Sequence, residues 1–395
     1  MKRKFLHIIP LAVFMAFSTI ASAQVDFTPI FTQIRLEARA DFDYYNNTSN
    51  NPSIAAENPY GFHGRYFNMV IGGPLGEKFS YFFRQRIIAN PGSVSFFDNT
   101  DFLYINYMPN KNWMIRMGKD ALAVGGFEYD APPINVLFNT YYWNNFYCFQ
   151  PAIAAAYKSD NGKQMVLVQV GNSPYVYYGA DLGYGLGNEW KSGLMSFNLF
   201  HSGDFGHYKM LNSVNFFQRP DRKMMNYIAI GQKLVYDRWD IYLDLIHHAN
   251  AIDDWGKNFA VVSCANLYFK NGLNLFAKGA WEQNKSNEIL PGFGIGDNIA
   301  LGYYDCFGEA GTSYLTYGVG LEYHPKICPD FRFHAFVADR RTTRPYTNAD
   351  GSLASDTYYE NSLQLNMGIT WDMDIHRMLK ERMAKVLLDN KSPLD

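Results

Sequence analysis

Residues 32–44 read Thr-Gln-Ile-Arg-Leu-Glu-Ala-Arg-Ala-Asp-Phe-Asp-Tyr. The alternation is unbroken. Thr32, Ile34, Leu36, Ala38, Ala40, Phe42 and Tyr44 share one parity, and Gln33, Arg35, Glu37, Arg39, Asp41 and Asp43 share the other. Successive side chains of a β-strand point to opposite faces, whereas a helix would smear both sets around its circumference. One face therefore suits lipid and the other suits water, as the wall of a membrane barrel requires. A soluble sandwich also alternates, but six charged or amide side chains in a row fit a wet lumen or an open sheet surface, not a core.

Upstream, Lys2, Arg3 and Lys4 precede a mostly apolar run, Phe5 to Ile20, and the small residues Ala21-Ser22-Ala23. This pattern predicts a signal peptide, 1–23, cleaved before Gln24. A membrane-anchoring helix is the alternative, but the run is shorter than the roughly 20 residues a spanning helix needs. Cleavage leaves 32 of the 35 basic residues against 37 acidic ones, a net charge of −5. That balance argues against a nucleic-acid partner, which favours a basic excess. The mature chain is then secreted, periplasmic or a bacterial outer-membrane barrel. Aromatics at 17%, with 29 Tyr and 31 Phe, against only 18% charged residues favour the barrel, whose two interfacial girdles are aromatic.

Downstream the same two-residue period recurs in segments of about ten residues, the length of a tilted membrane strand. About sixteen strands are expected, including 31–45, 62–72, 78–89, 330–341 and 360–374. An even number places both termini on the periplasmic side. Tight-turn sequences such as Asp160-Asn161-Gly162-Lys163 and Lys270-Asn271-Gly272 alternate with long connections near 46–60, 121–149, 172–189, 284–313 and 342–358. Short periplasmic turns and long outer loops are the habit of such barrels. The predicted fold is thus an all-β transmembrane antiparallel barrel over 24–375. After it comes a periplasmic tail, 376–395, opening on the amphipathic run His376-Arg377-Met378-Leu379. This tail is an inert extension or a docking element. Cys148, Cys264, Cys306 and Cys328 lack zinc spacing. Cys148 and Cys306 both fall in outer loops and could pair, or all four remain thiols.

In such a barrel the relevant chemistry is electrostatic filtering, because rings of Arg or Lys attract anions and acidic rings attract cations. Arg35, Arg39, Arg84, Arg86, Arg116, Arg332 and Arg340 oppose largely apolar faces and are expected to line the lumen, with Lys119 beside them; Arg341 and Arg344 follow in a loop. These cations favour anionic solutes, or they form a structural ladder with Glu37, Asp41, Glu128 and Asp130. The connection from Ala121 to Phe149 is the expected constriction, carrying Glu128, Asp130, Tyr141, Tyr142 and Trp143. Its aromatic run lines a path for sugars or peptides, or packs the loop against the wall. His247-His248 point to opposite sides of a strand and do not suggest a metal site. No cofactor is implied. No G-x-S-x-G and no P-loop occurs, so an enzyme is not expected; an outer-membrane lipase is the remote alternative, and an occluded surface-binding barrel the nearer one.

Several stretches resemble the phosphate-selective porin O/P family. Gly61-Phe62-His63-Gly64-Arg65 leads to Leu75-Gly76-Glu77-Lys78-Phe79-Ser80-Tyr81. Tyr104-Ile105-Asn106-Tyr107 is followed by Ile115-Arg116-Met117-Gly118-Lys119 and then Gly125-Gly126-Phe127-Glu128. Met225-Asn226-Tyr227-Ile228-Ala229-Ile230-Gly231 is similar to a segment of its Bacteroidetes members. The resemblance implies a sixteen-stranded barrel, a homotrimer, a third loop folded inward, and passive diffusion of small hydrophilic solutes with anion preference in some members. The chain departs from the family's "PFG" signature, with Val124-Gly125-Gly126-Phe127 in place of its proline, and the mature net charge is negative. Both departures bear on phosphate specificity.

Overall fold

The alternating residues do form barrel walls. The computed structural model describes residues 31–54, 57–87, 99–146, 148–174, 193–218, 224–249, 256–285, 311–328, 330–348 and 353–381. The expected signal peptide and Cys306 lie outside them. Sixteen antiparallel strands close into one barrel, each paired with its sequence neighbours and the first with the last. They are β1 (Gln33–Ser49), β2 (Tyr60–Pro74), β3 (Phe79–Arg86), β4 (Thr100–Tyr107), β5 (Trp113–Ala121), β6 (Phe149–Lys158), β7 (Gln164–Asn172) and β8 (Met195–Asp204). The second half comprises β9 (Tyr208–Gln218), β10 (Met224–Tyr236), β11 (Trp239–Ala249), β12 (Asn258–Tyr268), β13 (Leu273–Asn284), β14 (Ser313–Tyr323), β15 (Phe331–Thr347) and β16 (Leu353–Asp374). A short helix, 375–381, follows β16.

Closure abolishes the sheet edge, so every strand finds two partners and no row of backbone donors is left facing lipid. On β1 the polar set Glu37, Arg39, Asp41 and Asp43 is buried toward the lumen. Outward, Leu363, Leu365, Met367 and Ile369 of β16 form an exposed apolar stripe. Aromatic pairs mark the short-turn end of the wall: Tyr236 stacks on Trp239 at 4.6 Å and Phe331 on Trp371 at 5.1 Å.

The closing seam is stapled from inside. Asp41 on β1 and His334 on β15 reach each other across β16, Nε2 to Oδ1 at 3.0 Å, both side chains fully buried. The strand between them presents Gly368, which pairs with Asp41 on one side and His334 on the other. A Cβ there would lie 2.4 Å from Asp41 Oδ1, 2.5 Å from the Ala40 carbonyl and 2.6 Å from His334 Nε2. Only glycine lets the bridge cross. Gly368→Val is therefore expected to lower the temperature at which the folded barrel loses its fast gel mobility, by an overpacking cost of roughly 1–3 kcal/mol. Gly279→Ala, where nothing lies within 4 Å, is expected to leave that temperature unchanged.

Strand count and parity match the sequence reading, while some ends differ. β15 and β16 run on to Thr347 and back to Leu353, so most of the expected loop 342–358 is a ladder. Arg341 and Arg344 sit in β15, not in a loop. Arg341 faces outward, and Arg344 faces inward and pairs with Glu360 at 2.8 Å. β2 carries a bulge between its pairings with Arg39 and Ala40. That bulge adds Arg65 to the lumenal set.

The inward loop and the candidate constriction

The connection between β5 and β6 folds into the barrel, and its anchoring follows the chemistry of its backbone. Its amide donors go to wall carboxylates. Asp244 of β11 accepts from the N–H groups of Phe127 and Glu128 at 2.8 and 2.9 Å, which open the helical turn Phe127–Asp130. Glu282 of β13 accepts from those of Tyr141 and Tyr142 at 2.8 and 2.7 Å, which open the turn Tyr141–Asn145. The first N–H groups of a helix lack internal partners and favour negative charge, so each carboxylate sits where the loop needs one.

The loop's acceptors go to wall cations. Arg332 donates to the Ile134 carbonyl at 2.8 Å, Arg39 to Val136 at 2.7 Å and Arg340 to Asn139 at 2.6 Å. Lys278 donates to the Phe138 carbonyl at 2.6 Å and to Glu128 at 2.5 Å. Charge-assisted bonds of this kind are about twice as strong as neutral ones. The landing point is shaped by glycines. Gly125 donates to Ser213 Oγ, and Gly126, at φ 106°, donates to the Leu211 carbonyl. A Cβ on Gly231 of β10 would meet Gly126 Cα and Asp244 Oδ1, each at 2.9 Å. The sequence that departs from the family's proline signature thus provides close backbone contact with the wall.

Apolar packing completes the anchor. Tyr142 and Phe146 join Leu122, Val124, Phe217, Met225 and Tyr227 in a buried cluster, and Tyr141 stacks on Tyr314 at 4.4 Å. Phe138 packs with Phe276 and Phe336 in a second cluster. For Tyr142 and Phe146 the reading in which the aromatic run packs the loop against the wall is the one realised. Burial of these side chains, at about 1.5–3 kcal/mol each, adds to the polar pins. Cys148 ends the loop with its thiol pushed up to about 12 by burial, the state of an inert packing group.

The expected lumenal cations divide into several sets. Arg39, Arg332 and Arg340 hold the loop. Arg84 and Arg86 converge on one carboxylate, Asp101, at 2.9 Å each, and Arg84 lies over the Phe102 ring at 4.6 Å. Arg116 pairs with Asp120 at 2.7 Å and lies over Tyr104 at 4.0 Å. Arg35 meets Asp372 and Glu37 near the short-turn end. Lys119 is buried on the parity of Met117, opposite that of Arg116. Of the expected constriction residues, Glu128 and Tyr142 are buried anchors. Asp130 is exposed to the lumen, and Trp143 is half-buried. Asp244, Glu282 and Lys278 were missed by sequence reasoning. Asp244 and Lys278 are each a charge set between apolar side chains on the inward parity of a strand, Asp244 between Tyr242 and Ile246 and Lys278 between Phe276 and Ala280, and that setting is the signal they offered.

Beside the loop's 136–139 segment a polar cavity of about 160 Å³ opens toward β1 and β2. Arg39, Arg65 and Arg340 line it with Tyr45, Tyr66 and Gln364, and among the described residues its lining holds no carboxylate. Asp41 and Asp43 stand just behind: Arg39 and Arg65 donate to Asp41, and Arg65 to Asp43. His63 lies with these two carboxylates within 4.8 Å, but both already receive guanidinium hydrogen bonds. His247 and His248 occupy opposite faces of β11, the first exposed enough to accept from Gly256 N–H at 2.9 Å and the second buried.

The model of the family described as phosphate-selective porin O and P matches residues 32–193, from β1 to the segment before β8. Over that stretch the chain is similar to the family. Its fold is shared with solved outer-membrane barrels. The outer membrane channel DcaP of Acinetobacter baumannii superposes with a TM-score of 0.53 at 11% identity, over 86% of this chain and 96% of that one. The anion-selective porin from Comamonas acidovorans gives 0.52 at 10% identity, over 86% and 98%. A loop-deletion mutant of OmpT, an outer membrane protein of Vibrio cholerae, gives 0.51 at 9%, over 86% and 98%. No curated protein matches the chain. The match over β1 to β7 and the closed sixteen-stranded barrel together make this an outer-membrane porin, whose inward loop is the one described above.

Proposed function

We propose that this porin lets small hydrophilic solutes diffuse passively past the inward loop, and that it prefers anions. The observation that supports the preference is the cavity beside the loop, where three guanidiniums and two tyrosines face the open space and no carboxylate shares the lining. Cations concentrated at a narrow point attract anions and repel other cations. The shared pairing of Arg84 and Arg86 with the single Asp101 adds a second local surplus of positive charge. The mature chain's negative balance does not oppose this, because filtering is set by charge near the passage and screened within about 8 Å at physiological salt. Assembly as a homotrimer follows from the family resemblance and belongs to the same proposal.

Purified protein in a planar bilayer tests the reading. Steady ohmic current is expected, with a reversal potential in asymmetric KCl that shows chloride to be the more permeant ion. Cation preference would remove the filter, and absence of steady current would remove the open channel in favour of an occluded barrel.

A further inference from the structure

The outer wall carries charge where a lipid-facing surface is expected to be apolar. Asp339 and Arg341 share the outward parity of β15 with Phe333 and Val337, and pair at 3.0 Å. Tyr317 of β14 donates its hydroxyl to Asp339 at 2.6 Å, and the Arg341 guanidinium lies over the Tyr317 ring at 5.6 Å. A groove of about 490 Å³ opens beside this group. Trp281 and Tyr359 flank it, both about half exposed, and Ser313, Thr343 and Asn361 add hydroxyl and amide groups to its lining.

Depth decides what such a groove meets. Phe331, stacked on Trp371, marks the short-turn girdle, and Arg341 lies ten residues along the same strand. At about 3.3 Å per residue and a tilt near 40°, that places it about 25 Å away, the height of the apolar band. The group therefore sits at the outer boundary of the membrane, where lipid headgroups begin. Its chemistry is that of a sugar site. Asp339 accepts from hydroxyls, Arg341 donates to phosphate or hydroxyl oxygen, Asn361 does both, and aromatic rings cover the apolar faces of a sugar. A plain anion site would not hold a carboxylate at its centre.

We infer that this groove on β13–β16 binds the phosphorylated sugar headgroup of an outer-leaflet glycolipid. The apolar stripe beneath it, Leu365, Met367 and Ile369, is exposed and continuous with the groove, so an acyl chain can run down the wall from a seated headgroup. Arg341 and Asp339 neutralise each other in the unliganded wall, which keeps the pair tolerable at this depth until the headgroup adds further hydrogen bonds.

Native mass spectrometry of the full chain in detergent, titrated with purified lipid A, tests the assignment. Wild type is expected to retain one lipid A per protomer under activation that strips phosphatidylglycerol. The double variant Asp339→Asn, Arg341→Gln, confirmed folded by its heat-modifiable gel mobility, is expected to need about tenfold more lipid A for half occupancy. Equal retention by the variant, or competition by phosphatidylglycerol at equal concentration, would overturn the site. So would efficient disulfide cross-linking of protomers through Thr343→Cys, because the groove would then face a second copy of the chain.

Discussion

Replacing Asp244 by Asn and Glu282 by Gln in one chain is expected to raise single-channel conductance roughly twofold, with more open-state noise, because the loop that narrows the lumen is no longer held. Each carboxylate accepts two loop N–H groups, one on each oxygen. An amide of the same shape keeps one acceptor and turns an NH₂ toward the second N–H. Hydrogen bonds to charged groups contribute about 1.5–3 kcal/mol each, and a buried donor left without a partner costs about 1–3 kcal/mol more. The two losses fall on both helical turns of one loop, which is then held by the wall cations, the Gly125 and Gly126 bonds and the packed aromatics. The barrel does not depend on them, since Asp244 and Glu282 keep their backbone ladders to β10, β12 and β14. Heat-modifiable mobility is therefore expected to stay that of the folded form. Gly231→Val reaches the same end by another route, pushing a side chain into Gly126 and Asp244. Asp372→Asn, which loosens only Arg35 near the short-turn end, is the control, and its conductance is expected to match wild type. If the double variant conducted no better than this control, the loop would not be the constriction.

Much of this architecture could be read in the chain because a barrel wall writes its period into sequence. The run from Thr32 to Tyr44 needed only its alternation to declare two faces, and the structure buries one and exposes the other. Strand ends were less legible where a strand leaves the membrane. Thr342 to Pro345 is polar and looks like a loop, yet β15 continues through it because its ladder with β16 does not need lipid. The lumenal arginines were visible as cations opposite apolar faces, but their partners were not. Arg39, Arg332 and Arg340 donate to backbone carbonyls of residues 134–139, and a carbonyl carries no residue identity for sequence to reveal. Arg65 was hidden by the bulge, which inserts one residue and changes the parity on which the expectation rests.

The selectivity of the constriction is expected to invert in the variant Arg65→Gln, Arg340→Gln, although neither change introduces a negative charge. Arg39, Arg65 and Arg340 stand against Asp41 and Asp43, which leaves one surplus positive charge at the cavity. Removing two guanidiniums leaves one surplus negative charge instead. Arg65 matters doubly, because it donates to Asp43 at 2.7 Å and to Asp41 at 3.3 Å; its loss exposes carboxylates now covered. Arg340 differs, since among the described residues its partners are neutral, the Thr316 hydroxyl and the Asn139 carbonyl. Its positive charge is the less compensated of the two. In a tenfold KCl gradient the reversal potential is expected to change sign between wild type and the double variant. The single variants should fall between them, with conductance held within about twofold because the carboxylate pins of the loop are untouched. Ionic strength supplies the internal check. Fixed charge acts over about 10 Å at 0.1 M salt and about 3 Å at 1 M, so the difference between the channels is expected to shrink as salt rises. A shift that persisted undiminished at 1 M would mean that the substitutions had reshaped the passage and had not altered its field.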